Sequence, residues 1–462
     1  MASRTERLSK GRVEVGDAAA VGWEGGGNGD AHGAPNLLRI RPNPTADLPL
    51  SLAPVENLAT MNAYIVDGVR SGIGAFGGTL SPVRADDLAA SVLKSLLERH
   101  PNLDPSAIAD VYLGCANQAG EDNRNVARMA SLLAGLPPSV PGETVNRLCA
   151  SGLAAALHAA RTVHLNEGDV ALAGGVEHMT RGPWVLSKAS SAWGRDSELF
   201  DTSFGWRFIN PQLKALYGVD SMGETAENLA ELHRISRADQ DAFAVRSQQR
   251  AAHHATERAG EIVPVAIPRR RGEPDLFAED EFTKPATTAE ALAALRPAFR
   301  REGGSVTAGN ASGLNDGAAA LLLANEAGCT RHGLRPLSQI LSSAVVGVEP
   351  RIMGIGPVEA SRIALQRAGL TWEDIDVIEL NEAFAAQALA CTRSWGLDDE
   401  DPRLNRWGGA IALGHPLGMT GARLALTASR LLAATGGRHA LVTLCIGVGQ
   451  GYAAVLRNAT DK

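Results

Sequence analysis

Residues 151–175, SGLAAALHAARTVHLNEGDVALAGG, are typical of an Ala/Leu-rich helix over 151–166 followed by a strand that begins at Val170. The same order returns 269 residues later, in TGARLALTASRLLAATGGRHALVTL (420–444). This offset aligns, without a gap, Ser151-Gly152 with Thr420-Gly421, Gly168 with Gly437, and Ala171-Leu172 with Ala440-Leu441. The two stretches therefore predict a duplicated βαβ unit.

Short apolar runs alternate with helical patterns on either side of these stretches. The predicted strands are 62–67, 111–114, 170–173, 377–380 and 440–444. The predicted helices are 86–99, 125–134, 151–166, 357–368, 382–395 and 418–434. Such alternation predicts an α/β fold in which parallel strands are joined by helices.

The chain of 462 residues is long enough for about three domains. Residues 1–60 carry GGGNGD and repeated prolines without sustained periodicity, and we predict a disordered extension, with Met61 as a candidate true start. Residues 61–180 with 305–330 form the first predicted half, and residues 331–462 form the second. The more polar segment 181–304 is interpreted as an inserted loop domain over a functional face.

Composition excludes several classes of protein. There are 51 acidic and 44 basic side chains, so the net charge of −7 disfavours binding to nucleic acid. The apolar runs are too short and too often interrupted to span a membrane. Five cysteines without paired spacing predict neither a disulfide framework nor a zinc site. A reducing compartment, the cytoplasm, is expected.

Two motifs precede the predicted central helices. Cys149 lies in NRLCASG (146–152), where a loop turns into a helix whose N-terminal N–H groups would favour thiolate over thiol. A buried, inert cysteine is the alternative. His415 lies in the glycine-rich turn GGAIALGHPLG (408–418), where Pro416 restricts the chain and would hold the imidazole in one pose. Most isolated histidines in loops are simply exposed or packed.

Two further motifs follow predicted strands. Cys445 opens CIGVGQG (445–451), where a thiol beside glycine amides suits proton transfer and oxyanion stabilisation. Asn381 opens NEAFA (381–385), and its neutral interpretation is an N-cap of the following helix.

These four motifs, together with VTAGNASGLNDGAAA (306–320), resemble the signature blocks of the thiolase family from about residue 61 to 457. The resemblance implies a layered α-β-α-β-α fold of two similar halves, with a loop domain over the active site. It also implies acyl-CoA and CoA as substrates, no metal or permanently bound cofactor, and a homotetramer built from tight dimers.

The resemblance also assigns roles. Cys149 would be the nucleophile that carries the acyl group, His415 would take its proton, and Cys445 would be the second acid/base. One oxyanion site would consist of His415 and a water held by Asn381. The other would use the backbone N–H groups of Cys149 and Gly447. Acyl transfer would then proceed in two steps through an acyl-cysteine.

Further positions match the family's coenzyme A tunnel. The implied CoA contacts are Ser312, Ala308, Met222, Phe299 and Lys284, although Met and Phe are more often plain core residues. Thr420 stands where the family commonly has Ser, and it retains the hydroxyl.

Residues 114–137 and 205–228 resemble the branch that cleaves 3-oxoadipyl-CoA to succinyl-CoA and acetyl-CoA in aromatic-compound breakdown, by the β-ketoadipate or phenylacetate route. That substrate ends in a carboxylate, for which an arginine is the preferred partner. Arg124 and Arg207 lie in these blocks and are the candidates, although surface salt bridges are the alternative. An acetyl-CoA acetyltransferase or general 3-ketoacyl-CoA thiolase would share the catalytic residues, whereas a non-catalytic CoA-ester or lipid-binding relative would lack at least one of them.

Overall fold

A computed structural model describes residues 61–460, so the predicted extension 1–60 lies outside the described residues. The strands are β1 Tyr64–Arg70, β2 Gly74–Ala75, β3 Ile108–Gly114, β4 Glu143–Val145, β5 Val170–His178, β6 Trp184–Leu186, β7 Leu199–Asp201, β8 Val265–Ile267, β9 Asp275–Phe277, β10 Asn315–Ala324, β11 Ser338–Gly347, β12 Val377–Leu380, β13 His439–Ile446 and β14 Gln450–Asn458.

The α-helices are α1 Ala85–Glu98, α2 Val126–Leu133, α3 Ser151–His164, α4 Pro211–Tyr217, α5 Met222–Leu232, α6 Arg237–His253, α7 Ala255–Ala259, α8 Ala289–Ala293, α9 Glu326–His332, α10 Gly356–Ala368, α11 Ala385–Ser394, α12 Ala410–Leu413 and α13 Leu417–Thr435. Short 3₁₀ turns occupy Pro105–Ala107, Leu148–Ala150, Pro350–Ile355 and Trp372–Asp374. None of these helices is long and apolar enough to cross a membrane.

The main strands follow the order β12-β13-β14-β11-β1-β10-β5-β3-β4, and β2 pairs with β10. Strand β5 runs parallel to β3 and antiparallel to β10, while β13 runs parallel to β12 and antiparallel to β14. The two halves therefore repeat one strand pattern. They join through a short antiparallel pairing of Tyr64 and Ile65 with Gln339 and Ser338.

Successive side chains along a strand face opposite layers of the fold. Ala171 and Ala173 of β5 pack in the apolar cluster of α3 and α13, whereas Val170 and Leu172 pack in the cluster of α1 and α2. In the second half, Val442 faces the central helices and Leu441 the outer cluster that contains residues of α10 and α11. Because the main strands of each half are buried on both faces, they are mostly apolar. The predicted α-β-α-β-α layering is confirmed.

The central helices cross at the two glycines that the internal repeat aligns. A Cβ on Gly421 would lie 2.3 Å from the backbone nitrogen of Leu153, and a Cβ on Gly152 would lie 2.6 Å from the backbone oxygen of Gly418. Only glycine allows the helices to approach this closely. The close crossing brings together the N-terminal ends of α3 and α13, where the candidate catalytic residues lie.

The segment between β5 and β10 contains helices α4–α8 and two small hairpins, β6–β7 and β8–β9. A buried ion-pair cluster ties it to the end of β1. Arg70 Nε lies 2.9 Å from Glu261 Oε2, and Arg70 Nη1 lies 2.6 Å from Asp280 Oδ1. The division of the chain into halves and an inserted domain, at the residue boundaries given above, stays a prediction.

Candidate active site

A cavity of about 380 Å³ lies at the N-terminal ends of the central helices, under the inserted segment. Its lining comes from both halves and from that segment: Ala116, Asn117, Leu148, Cys149, Glu177, Met179, Thr202, Ser203, Phe204, Gly205, Trp206, Arg207, Ser221, Met222, Leu417, Gly447 and Val448. A largely apolar pocket with a few polar groups is the usual form of a small-molecule site.

Cys149 is held in the 3₁₀ turn that leads into α3. Leu148 has a left-handed φ of 47°, and the Ser151 hydroxyl accepts from the N–H of Arg147 (2.8 Å) and donates to the carbonyl of Leu148 (2.7 Å). Burial raises the pKa of the Cys149 thiol to about 11, although N–H groups of Gly447 and of Cys149 itself act in the opposite direction. The expectation that the helix N-terminus favours the thiolate is therefore wrong, since burial outweighs the backbone N–H groups.

His415 lies in the turn between α12 and α13, and hydrogen bonds at its backbone nitrogen and at Nδ1 fix its orientation. Its N–H donates to Asn315 Oδ1 (3.1 Å), and its Nδ1 lies 2.7 Å from Thr420 Oγ1. The single proton of the Thr420 hydroxyl is donated to the carbonyl of Pro416 (2.8 Å), so Thr420 must accept from Nδ1–H. The lone pair is thereby assigned to Nε2. Burial and then Arg423 lower the pKa of His415 to about 3, which keeps the imidazole neutral.

Asn381 lies beside this imidazole at the end of β12. Its Nδ2 is 3.3 Å from His415 Nε2, and its buried Oδ1 has no hydrogen-bond partner among residues 61–460. The N-cap interpretation of Asn381 is wrong. The helix predicted from 382 begins at Ala385, because Phe384 before it is extended and the N–H of Ala385 donates to the carbonyl of Asn310. The carboxamide is thus available to a ligand or water.

Cys445 and Gly447 lie where β13 turns into β14. Cys445 is 1% exposed and packs in an apolar cluster with Met222 and Phe384. Burial, followed by the nearby Cys149, raises the pKa of the Cys445 thiol well above its ordinary value. Gly447 lines the cavity, and the next residue, Val448, has a left-handed φ of 66°. The turn places an N–H donor and a second thiol near Cys149.

The predicted CoA contacts fall into two groups. Met222 lines the cavity with Cys149, and the ring of Phe299 packs against that of Phe384 at 6.2 Å. The Ser312 hydroxyl donates to the carbonyl of Ala383, 3.1 Å away and next to Phe384. Ala308 and Lys284 are exposed and do not line this cavity. The first three therefore lie at or near the apolar cluster of Cys445, whereas the other two are exposed.

The two candidate arginines differ in position. Arg207 lines the cavity, is half-buried, and forms no ion pair or side-chain hydrogen bond with any described residue. Arg124 is exposed, has a left-handed φ of 65° and does not line the cavity. The structure therefore brings one of the two candidates to the site that contains Cys149.

Sequence reasoning missed two buried carboxylates. Glu177 accepts from the N–H groups of Ala116, Asn117 and Gly418 at 2.8–3.0 Å, and burial raises its pKa to about 7. It therefore joins the end of β3 to the start of α13 at the cavity wall. An acidic residue inside the apolar run of β5 was the signal that could have identified it.

The second carboxylate, Glu382, holds the turn that carries His415. Its oxygens accept from the Ser247 hydroxyl (2.6 Å), Asn405 Nδ2 (2.7 Å) and the N–H of Ile411 (3.1 Å). A Cβ on Gly409 would lie 2.0 Å from this carboxyl group. The glycine in the motif is therefore required by close approach. In the described part of the chain, no cluster of His, Cys, Asp or Glu could hold a metal ion.

Known proteins share this fold and these motifs. Residues 63–327 match the thiolase N-terminal domain, and residues 334–458 match the thiolase C-terminal domain. A 3-oxoadipyl-CoA/3-oxo-5,6-dehydrosuberyl-CoA thiolase of Escherichia coli (strain K12) is 59% identical over 396 residues, covering 85% of this chain and 98% of that protein. A beta-ketoadipyl-CoA thiolase of Pseudomonas aeruginosa is 59% identical over 392 residues, covering 84% and 97%.

The crystal structure of the Bacillus anthracis acetyl-CoA acetyltransferase superposes with a TM-score of 0.80 at 40% identity, covering 87% of this chain and all of that one. The chain belongs to the thiolase family and is an acyltransferase.

Proposed function

We propose that the protein cleaves 3-oxoadipyl-CoA with CoA to give succinyl-CoA and acetyl-CoA, in the breakdown of aromatic compounds. The observation that carries this proposal is that one cavity is lined by both Cys149 and Arg207, whose guanidinium has no partner among residues 61–460. A nucleophile at one point and a cation at another suit an acyl chain that ends in a carboxylate. The relatives named for this substrate support the assignment at 59% identity, compared with 40% for the acetyl-CoA acetyltransferase structure.

In the first half-reaction, Cys149 Sγ attacks the keto carbon while its proton passes to His415 Nε2. The bond between the keto carbon and the α-carbon then breaks, leaving a succinyl thioester on Cys149 and the enolate of acetyl-CoA. Cys445 gives its proton to the enolate carbon. The tautomer imposed by Thr420 supports this role for His415, because it leaves the lone pair on Nε2.

In the second half-reaction, the CoA thiol gives its proton to the Cys445 thiolate and attacks the succinyl thioester. Cys149 leaves and recovers its proton from His415, so the protein returns to its starting state. Covalent catalysis of this kind replaces one difficult cleavage by two easier steps. The raised pKa values of both thiols support a resting state in which neither is ionised.

Negative charge develops on two different oxygens in this scheme. We assign one oxyanion site to the N–H groups of Cys149 and Gly447, which lie beside the nucleophile. We assign the other to His415, whose Nε2 can donate once it has taken the proton of Cys149, and to a water held by Asn381, whose buried Oδ1 has no partner among the described residues. Donors fixed before reaction stabilise such charge most effectively.

The CoA part of the substrate is assigned to the predicted tunnel residues. Met222, Phe299 and Ser312 would contact the pantetheine arm, because they lie at or near the apolar cluster of Cys445. Ala308 and Lys284, which are exposed, would meet the outer end of CoA, where the Lys284 ammonium suits a phosphate. CoA is a substrate here, and no permanently bound cofactor or metal is part of the proposal.

A homotetramer is the proposed assembly. The β6–β7 hairpin presents Trp184, Leu186 and Leu199, each more than 60% exposed in the single chain. Exposed apolar patches of this kind usually mark protein contacts. Light scattering should give the mass of four chains, and a Trp184→Lys variant should give a smaller species.

The cytoplasm is the proposed location of the protein. Five free cysteines, two of them assigned to catalysis, support a reducing cytoplasm.

The decisive experiment measures CoA-dependent cleavage of 3-oxoadipyl-CoA, acetoacetyl-CoA and a long-chain 3-oxoacyl-CoA. We expect the highest kcat/KM for 3-oxoadipyl-CoA and a succinyl adduct on Cys149 in intact mass spectra, absent in Cys149→Ala. Preference for acetoacetyl-CoA would instead favour an acetyl-CoA acetyltransferase, and preference for the long chain a general 3-ketoacyl-CoA thiolase. Failure on all three substrates would favour a non-catalytic binding protein.

The carboxylate assignment is tested separately. Arg207→Ala should lower kcat/KM for 3-oxoadipyl-CoA roughly 10- to 100-fold, because a charge-assisted hydrogen bond is lost. The loss for acetoacetyl-CoA, which has no carboxylate on its acyl chain, should be much smaller. Arg124→Ala is the matched control. Equal losses on both substrates would remove Arg207 from this role.

A further inference from the structure

One wall of the cavity is a single stretch of the inserted segment, residues 202–207, all six of which line it. This stretch lies between β7 and α4. Phe204 is 43% exposed, and Phe208, just beyond the stretch, is 55% exposed, although its ring packs on that of Phe200 in β7 with 4.9 Å between the ring centroids. Hydrogen bonds at its two ends hold the stretch in addition to this contact.

The first end is fixed by the buried side chain of Thr202. Its hydroxyl donates to the carbonyl of Pro183 (2.7 Å) and accepts from Asn117 Nδ2 (2.9 Å). Asn117 follows β3 and is itself held, because its N–H donates to Glu177 Oε1 (3.0 Å). Thr202 is thus tied through one side chain to the rigid end of a central strand.

The second end is fixed by the indole of Trp206, immediately before Arg207. Trp206 Nε1 donates to the carbonyl of Asp220 (3.2 Å). The carboxylate of Asp220 is in turn held by Arg351 Nε (2.9 Å) and Asn228 Nδ2 (3.0 Å). The residue that receives the indole N–H is therefore anchored to the second half of the molecule through Arg351.

We propose that Thr202 and Trp206 are positioning residues that set substrate selectivity by holding Arg207 against the acyl chain's terminal carboxylate. This inference rests on the proposed function and deepens it. A guanidinium recognises a carboxylate through two parallel hydrogen bonds, which demand a defined orientation. A loop that must be ordered on binding loses affinity through the entropy of ordering. Two hydrogen-bonded ends remove most of that cost before the substrate arrives.

The test uses Thr202→Val, which keeps the side-chain shape and deletes both hydrogen bonds of the hydroxyl, and Trp206→Phe, which keeps an aromatic ring and deletes the hydrogen bond of the indole. We expect each to raise KM for 3-oxoadipyl-CoA with little change in kcat, and to lower the selectivity for 3-oxoadipyl-CoA over acetoacetyl-CoA about tenfold. The matched control is Trp193→Phe, because Trp193 lies on the same inserted segment and is 99% exposed. Circular dichroism and thermal unfolding check that each variant is folded.

A double-mutant cycle separates positioning from a general structural effect. In an Arg207→Ala background, Thr202→Val should cause little further loss on 3-oxoadipyl-CoA, because the group that it positions is gone. Additive losses, or equal losses on the two substrates, would overturn the proposal while leaving the substrate assignment intact. A wild-type enzyme that shows no preference for 3-oxoadipyl-CoA would overturn the proposed function itself, and this inference with it.

Discussion

Ser151 and Thr420 occupy the same position in the two halves, one at the start of α3 and the other near the start of α13. Each uses its hydroxyl to donate to a backbone carbonyl, at 2.7 Å in Ser151 and 2.8 Å in Thr420. They differ in what they accept. Ser151 accepts the backbone N–H of Arg147 and so shapes the turn that carries Cys149, whereas Thr420 accepts the imidazole N–H of His415.

The difference shows how a duplicated scaffold becomes asymmetric at one site. The helices and strands keep the same order, and the change is confined to what the equivalent side chains contact. The strands that follow the two central helices differ in the same way, because residues at equivalent positions make different contacts. Glu177 of β5 holds the start of α13 by accepting the N–H of Gly418, while the equivalent residue of β13, Ile446, is a core residue. In the proposed mechanism, the first half supplies the nucleophile, and the second supplies the base and the second thiol.

The largest expected effect comes from the glycines that the two halves share at the helix crossing. Gly421→Ala places a Cβ against the backbone of Leu153, so the helices must separate, and we expect a loss of roughly 3 kcal/mol in the free energy of unfolding. Gly152→Ala should cost a similar amount. The control is Gly347→Ala, where the nearest atom to an added Cβ is 3.9 Å away. Denaturant unfolding measures all three, and a mild effect at Gly421 would contradict the close crossing.

The next effect concerns Glu177 of β5, whose equivalent in β13 is Ile446. Burial raises its pKa from 4.5 to about 7 in the folded protein, so the folded state favours the protonated form. Stability from this group is therefore complete below about pH 4.5 and lost as the pH rises through 7. The shift corresponds to about 3 kcal/mol.

Glu177→Gln cannot ionise and provides the reference. The unfolding free energy of the wild type, relative to that of Glu177→Gln, should fall as the pH is raised from 5 to 8. A difference that stays constant over this range would show that the carboxyl group titrates at its ordinary pKa.

A smaller effect is expected where the two hydroxyls diverge. Thr420→Val removes both the acceptor for His415 Nδ1–H and the donor to the Pro416 carbonyl. The imidazole then loses its fixed orientation, so kcat should fall roughly tenfold and the free energy of unfolding should fall by about 1 kcal/mol. Thr420→Ser keeps the hydroxyl and should restore both. Ser151→Ala should lower the free energy of unfolding by a similar amount with a smaller loss of kcat, because both of its bonds are to the backbone. Full activity in Thr420→Val would remove this distinction between the halves.

Much of this arrangement could be predicted from the sequence. The offset of the repeat aligned Gly152 with Gly421 and Ser151 with Thr420, because both halves place a glycine at the helix crossing and a hydroxyl residue before it. The motifs around Cys149, His415 and Cys445 were also visible. Glu177, Thr202 and Trp206 were not identified, because their roles depend on contacts between segments far apart in the chain. The direction of the Cys149 pKa shift failed for the same reason, since burial is a property of the folded site.

The smallest effect tests backbone strain, which both halves place at the cavity. Leu148 and Val448 line it with left-handed φ angles of 47° and 66°. Residues other than glycine rarely adopt this region, and β-branched residues such as valine do so least. Val448→Gly should relieve the strain and raise the unfolding free energy. The gain should be about 1 kcal/mol or less, because glycine loses more backbone entropy on folding and this offsets part of the relief.

Activity should move in the opposite direction. The N–H of Gly447, which donates toward Cys149, would be less firmly held, and kcat should fall several-fold, as measured with 3-oxoadipyl-CoA. Leu148→Gly should behave alike, because Leu148 directly precedes Cys149. If Val448→Gly loses stability as well as activity, packing of the valine side chain outweighs the strain, and the turn is held by its contacts with the cavity wall.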